Sequence, residues 1–184
     1  VMMLLVSGAF YGQNLKIMTY NIRLNVASDG ENAWPNRKDY FMSQVQFYSP
    51  DIFGVQEATP SQVIDIASGM SKYSKFGIGR EEGGTGEACT IYYKKDRFKL
   101  QDSNTFWLSE TPNVVSRGWD AACNRVCTYG LFKDLKTKKT FYVFNLHLDH
   151  MGEVARVKGV QVVLEKIKAI NTKSPDDLEE TFSQ

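Results

Sequence analysis

Apolar and polar residues alternate with period two along LKIMTYN (15–21) and KTFYVFNLH (139–147). Compact apolar runs bounded by charged or turn residues stand in DIFGVQE (51–57) and CTIYYKK (89–95). Period two is the signature of a pleated strand with one buried face, and short bounded apolar runs suit strands buried on both. Further strands are expected at Tyr73–Ile78, Phe98–Trp107 and Arg125–Lys133, the last joined to the 139–147 run across the Lys-rich turn DLKTKK. Helical spacing predicts α-helices over Asn36–Tyr48, over Pro60–Met70 with Thr59 as N-cap, and over Glu153–Ile170. In the last of these, Val157, Val160, Leu164 and Ile167 fall on one face and predict the side that packs. The Gly-rich REEGGTGEA (80–88) reads as a mobile loop ahead of a strand; its glycines do not precede a helix, so a phosphate-cradling loop is not supported.

Short strands separated by turns, mixed with helices that each carry one apolar face, point to antiparallel-rich sheets covered by helices. At 184 residues the chain is long enough for one domain with a core. Lys and Arg number 22 against 21 Asp and Glu, so no global field draws the molecule to nucleic acid or an anionic membrane. The apolar start VMMLL followed by Ser7-Gly8-Ala9 reads as the remnant of a secretory signal over 1–13, which predicts export to the periplasm or beyond the cell. No later stretch reaches the ~20 apolar residues of a membrane span. Three cysteines, Cys89, Cys123 and Cys127, do not make an even disulfide framework and read as small buried or half-buried residues, with a Cys123–Cys127 bond as the alternative. Residues 172–184 form an acidic, polar tail after a domain spanning 14–171.

Four strand-type runs end in, or open with, residues that are costly to bury: Asn21, Glu57, Glu87, and His147 with Asp149 and His150 in HLDH. Each has a plain structural reading: Asn21 as a turn former, Glu57 as a charge at a helix entry, Glu87 as a solvated carboxylate, HLDH as a helix cap. Together they suggest a site at one sheet edge. A carboxylate with an amide and no thiolate is hard-ligand chemistry, suited to magnesium, manganese or calcium rather than structural zinc. A histidine held by Glu87 would be fixed in tautomer. Arg23, Arg37, Arg117 and Arg125 are the candidates for a basic groove, should the substrate be nucleic acid.

MTYNIR, DGENAWPNRK, DIFGVQE, GEACTIYYKKDRF, FWLSETP, RGWDAA and FYVFNLHLDH, in this order between residues 18 and 150, resemble the endonuclease/exonuclease/phosphatase superfamily, and more narrowly its exported bacterial members. The resemblance implies an α+β, four-layer α/β/β/α sandwich of two mainly antiparallel sheets flanked by helices. It implies a metal-dependent phosphoesterase with Mg2+ (or Mn2+ or Ca2+) at Glu57 and Asn21. His147, Glu87 and Asn21 would be catalytic, with His147 contacting phosphate and Glu87 pairing with it; Arg23 would approach the substrate. Asp149, His150, Arg37, Trp119, Trp34 and Asp120 belong to the narrower subgroup's pattern, the first four being expected at the substrate. The Gly-Asp-x-Asn and Asp-His motifs that follow in the family do not follow Ile170. The expectation is therefore the N-terminal portion of such an enzyme, inactive in this form. The alternative is a non-catalytic phosphate-binding module or a degenerate fragment. The expected partner is a phosphate ester, left open among nucleic acid, phospholipid, nucleotide and sugar phosphate, bound by a monomer.

Overall fold

The computed structural model describes residues 14–172. The segment read as a signal remnant and all but the first residue of the polar tail lie outside them. Strands are β1 (Ile17–Asn21), β2 (Ile52–Gln56), β3 (Tyr73–Phe76), β4 (Gly79–Glu81), β5 (Thr85–Ala88), β6 (Ile91–Lys94), β7 (Phe98–Trp107), β8 (Val126–Asp134) and β9 (Thr140–Leu146). Helices are α1 (Trp34–Tyr48), α2 (Pro60–Gly69) and α3 (Glu153–Asn171).

One sheet has the order β1-β2-β6-β3, parallel between β1 and β2 and antiparallel elsewhere; the other is the antiparallel meander β7-β8-β9. Three apolar clusters define the layers between them. Phe41 and Val45 of α1 and Ile66 of α2 pack with Phe53, Val55 and Tyr92 beneath the first sheet. Ile52 and Ile91 meet Phe98 and Phe132 between the two sheets. Phe106, Cys127 and Tyr129 meet Val163 of α3 on the far side. Helices, sheet, sheet, helix make the four-layer sandwich that the family resemblance implies. The central strand β2 is buried at all five residues, which is why IFGVQ carries no alternation.

Side-chain amides join the two sheets between β2 and β9. Gln56 Nε2 donates to Asn145 Oδ1 at 2.6 Å, and Asn145 Nδ2 donates to the carbonyls of Val55 and Thr90 at 2.9 and 3.1 Å. A buried amide with its donors and acceptor engaged fixes the register of facing sheets where an apolar pair would tolerate sliding.

Three expectations change. REEGGTGEA is a β4–β5 ribbon, with Gly83, Gly84 and Gly86 at φ of 66°, 72° and 76° turning the chain through a 3-10 segment where other residues would be strained. Trp34 is already helical, so α1 starts two residues early with Pro35 in its first turn. The packed face of α3 is Ala155, Gly159 and Val163, supported by Val162, Ile167 and Ile170. Val157, Val160 and Leu164 instead face outward, 61%, 40% and 51% exposed. The helix carries two apolar stripes, and the one with small residues packs closer: a Cβ on Gly159 would lie 3.4 Å from Leu108 Cβ. All three cysteines are free, Cys89 and Cys127 buried and Cys123 half-buried, so the disulfide alternative is not realised; burial pushes the Cys89 thiol up to about 12.

Candidate active site

Parallel pairing of β1 with β2 in the register Asn21↔Gln56 brings the ends of both strands to one edge. Glu57 follows β2 with φ of 62°, and Arg23 follows β1 with φ of 57°. Both non-glycine residues thus adopt left-handed turns, a conformation costing on the order of 1 kcal/mol or more each, where the strands give way to site loops. Asn21 Nδ2 donates to Glu57 Oε1 at 2.8 Å and the Leu24 N–H donates to Glu57 Oε2 at 3.1 Å. The loop after β1 is held by Arg37, whose guanidinium donates to the carbonyls of Asn32 and Arg23 at 2.7 Å each and to that of Ile22. Gln62, wholly buried at the start of α2, donates to the Arg23 carbonyl at 2.8 Å and completes the capping box with Thr59.

The same edge receives the start of β8 and the end of β9, because Cys127 is in register with Leu146 and Arg125 therefore reaches the chain beyond Leu146. Strand geometry stops at Leu146. Leu148 packs into the α3 cluster, while His147 lines a cavity of about 330 Å³. Glu57, Arg23, Arg80, Glu87 and His150 line the same cavity, with Leu24, Cys123 and Arg125 completing it. The β4–β5 ribbon supplies Arg80 and Glu87, paired at 3.0 Å.

Of these charges, Arg23 pairs with Asp29, Arg80 with Glu87 and Arg125 with Asp149. Glu57 takes part in no ion pair among the described residues. Its burial works to raise its pKa, but the Asn21 and Leu24 hydrogen bonds, with His147 and Arg23 nearby, outweigh that and hold it below the usual carboxylate range. An ionised carboxylate satisfied only by neutral donors fits a hard divalent cation. His147 is shifted down by burial and by the Arg125 guanidinium, against the opposing pull of Glu57 and Glu87.

Asn21, Arg23, Glu57, Glu87, His147 and His150 come together at this edge. Glu87 reaches His147 through its field, and no hydrogen bond joins them among the described residues: Arg80 holds the carboxylate and Arg125 faces the His147 ring nitrogen at 3.3 Å. Asp149 lies beneath the cavity, its side chain 0% exposed and accepting from Met151, Gly152 and Ala122 N–H groups and from Arg125. Cys123, Asp149 and His150 approach one another within 4.8 Å, yet the Arg125 guanidinium occupies the position a cation would need. Arg37 is taken up by backbone carbonyls, and its guanidinium lies 5.2 Å from the centre of the Trp34 ring. Trp34 is buried with Nε1 donating to Asp65 at 2.9 Å, and Asp120 caps α3 through the Ala155 N–H at 2.7 Å. Trp119 lines a separate depression with Glu110, Lys158 and Glu165. The sequence offers Arg125 only as one of four candidates for a basic groove, and Arg80 not at all. Only Arg125's place one residue before a strand that pairs with the HLDH strand could have found it.

Residues 18–151 match the model of the endonuclease/exonuclease/phosphatase family, and the chain belongs to that family. An endonuclease/exonuclease/phosphatase from Bacteroides vulgatus is 40% identical with a TM-score of 0.83, over 85% of this chain and 60% of that one. The Bacteroides thetaiotaomicron mannosyl-6-phosphatase Bt3783 is 38% identical with a TM-score of 0.85, over 88% of this chain and 62% of its own. Uncharacterized protein L388 of Acanthamoeba polyphaga mimivirus is 29% identical over 129 residues, 63% of this chain and 46% of the viral protein. The chain thus spans about three fifths of the solved relatives and less than half of the viral one.

Proposed function

We propose that this chain carries the metal-binding and phosphate-contacting half of a divalent-metal-dependent phosphomonoesterase acting on a sugar phosphate. The observation that carries the reading is the meeting of opposite characters in one cavity: the ionised Glu57, in no ion pair among the described residues, together with Arg80, Arg125, His147 and His150. Glu57, with Asn21 beside it, would hold Mg2+ or Mn2+. The ion would supply Lewis-acid polarisation of a phosphoryl oxygen and offset charge on the leaving oxygen. His147 donates a hydrogen bond to a non-bridging oxygen, and Arg80 and Arg125 supply the field that makes a dianionic group favourable there. Asn21 orients the Glu57 carboxylate, and Arg23 lies at the mouth where the alcohol part of the ester leaves.

A cavity of about 330 Å³ suits a hexose phosphate, at the small end of ligand sites. None of its described lining residues is Phe, Tyr or Trp, so it lacks the large aromatic faces on which successive bases usually stack. The 38% identity to the mannosyl-6-phosphatase supports the same choice of substrate class. A second reading, phosphate binding without turnover, is favoured by one observation: Glu87 is tied to Arg80 and Glu57 is the metal carboxylate, leaving no free carboxylate in the described cavity to activate water. The resemblance to exported members and the apolar 1–13 segment support an exported protein.

The test is phosphate release from mannose 6-phosphate and from bis-p-nitrophenyl phosphate with Mg2+ or Mn2+, before and after chelation, alongside calorimetry of mannose 6-phosphate. Metal-dependent release from the monoester supports the enzyme reading, and metal-dependent binding without release supports the binding module. Preference for the diester, or neither binding nor release, overturns the proposal.

A further inference from the structure

The side chain of Arg125 is 6% exposed and points three ways at once. Its Nε donates to Asp149 Oδ2 at 3.1 Å, its Nη1 meets His147 Nδ1 at 3.3 Å and its Nη2 meets His150 Nδ1 at 2.9 Å. A guanidinium has donors only and does not deprotonate in a protein. Both imidazoles must therefore accept at Nδ1, which requires each ring to be neutral and to carry its proton on Nε2. A ring protonated at Nδ1 would set N–H against N–H across 2.9 or 3.3 Å.

We infer that Arg125 is a positioning residue that fixes the tautomer of both histidines together, so that His147 and His150 present a pair of Nε2–H donors to the cavity. Asp149 sets the fork: its wholly buried carboxylate takes Nε and leaves the two Nη groups aimed at the rings. The arrangement assigns His147 the role of hydrogen-bond donor to an anion, with Nδ1 closed to proton exchange, and adds His150 as a second donor of the same kind. Lysine cannot replace Arg125, because a single ammonium on a flexible stem cannot hold one carboxylate and two ring nitrogens in a fixed plane. That the anion is a phosphate rests on the function proposed above; the tautomer lock does not.

The chain contains only two histidines, so its imidazole nitrogen spectrum consists of two rings and both are expected to read alike. In histidine-labelled protein, held well above the ordinary imidazole pKa of about 6.5, long-range proton–nitrogen correlation should show both rings with Nε2 protonated and Nδ1 bare. Arg125→Lys should shift at least one ring to mixed tautomers. A Nδ1 proton on either ring of the unmutated protein overturns the inference, as do ring nitrogens unchanged in a folded Arg125→Lys variant. If that variant fails to fold, the unmutated spectrum decides alone. Inorganic phosphate should then perturb both Nε2–H signals. Signals unmoved by phosphate, with the tautomers as stated, would remove the phosphate reading and leave the lock in place.

Discussion

Asn21 Nδ2 lies 2.8 Å from Glu57 Oε1, a side-chain hydrogen bond across the parallel β1–β2 pair between residues that each leave the end of their strand. Glu57 is thereby oriented by an amide rather than neutralised by a cation. The second carboxylate oxygen is held by the Leu24 N–H, so the group is fixed at both oxygens while its charge stays available. This is the arrangement a hard cation needs from a single carboxylate that has to bind without help from neighbouring acids.

Glu57→Gln is therefore expected to abolish measurable Mg2+ or Mn2+ binding in calorimetry. Asn21→Ala should weaken it by roughly 10–100-fold, the usual effect of losing a residue that orients a ligand. Affinity equal to the unmutated protein in the Glu57 variant removes the metal assignment. Equal affinity in the Asn21 variant alone limits that residue to shaping the turn through the Arg23 N–H it also accepts.

Asp149 predicts a pH dependence of stability. Burial works to raise its pKa, but the N–H groups of Gly152, Met151 and Ala122 and the Arg125 guanidinium outweigh it, and the carboxyl is held well below the ordinary range. A depressed folded pKa contributes stability that is present above the unfolded value of about 3.9 and is lost as pH falls below it. Asp149→Asn should cost about 3–5 kcal/mol at neutral pH, because it leaves a buried guanidinium without its counter-charge. Urea midpoints should show that gap narrowing as pH drops from 5 toward about 2–3. A gap that stays constant with pH would mean that the charge of Asp149 is not what matters.

How far the sequence discloses this molecule depends on what kind of signal each part leaves. Alternation in LKIMTYN marks a half-buried strand directly, whereas β9 packs on both faces, Phe141 and Val143 between the sheets and Tyr142, Phe144 and Leu146 toward α3; the strand ends mark Asn21, Glu57 and His147 because polar chemistry there has no packing reason. Arg125 leaves a weaker signal: it reads as one of four arginines for a basic groove, and its place between the two histidines exists only once β8 and β9 pair. Arg80 and Glu87 lie in a glycine-rich stretch whose ribbon geometry depends on left-handed glycines rather than on hydrophobic pattern. Trp119 and Arg37 belong to motifs as surely as Glu57 does, yet one faces a separate depression and the other spends its donors on backbone carbonyls. Motif membership does not distinguish a residue that meets substrate from one that holds a loop.

Gly54 tests the polar joint between the sheets. A Cβ there would lie 2.6 Å from Asn145 Cγ and 2.8 Å from its Oδ1, and Asn145 cannot yield without breaking its bonds to Gln56, Val55 and Thr90. Gly54→Ala should destabilise by about 1–3 kcal/mol from overpacking. Because the two residues contact each other, the cost in an Asn145→Ala background should be smaller than in the unmutated chain. Equal costs in both backgrounds, read from denaturant midpoints, would place the strain elsewhere.

The two apolar stripes of α3 give the last prediction. Val163 is 7% exposed against Phe106, Leu108 and Tyr129, whereas Val157 is 61% exposed on the opposite stripe, so identical truncations should have different costs. Removing two methyl groups from the buried site forfeits about 1.5 kcal/mol of transfer free energy, and a residual void raises that toward about 2–3 kcal/mol. At the exposed site the same change should stay within about 0.5 kcal/mol. Ala155 and Gly159 explain the asymmetry: their lack of bulk lets the helix approach Leu108 and Leu148, a closeness that a Val157-centred face with larger side chains would prevent. Urea unfolding of Val163→Ala and Val157→Ala in the 184-residue chain checks it. Equal destabilisation, or a larger loss at Val157, would mean that the helix turns its other stripe to the sheet.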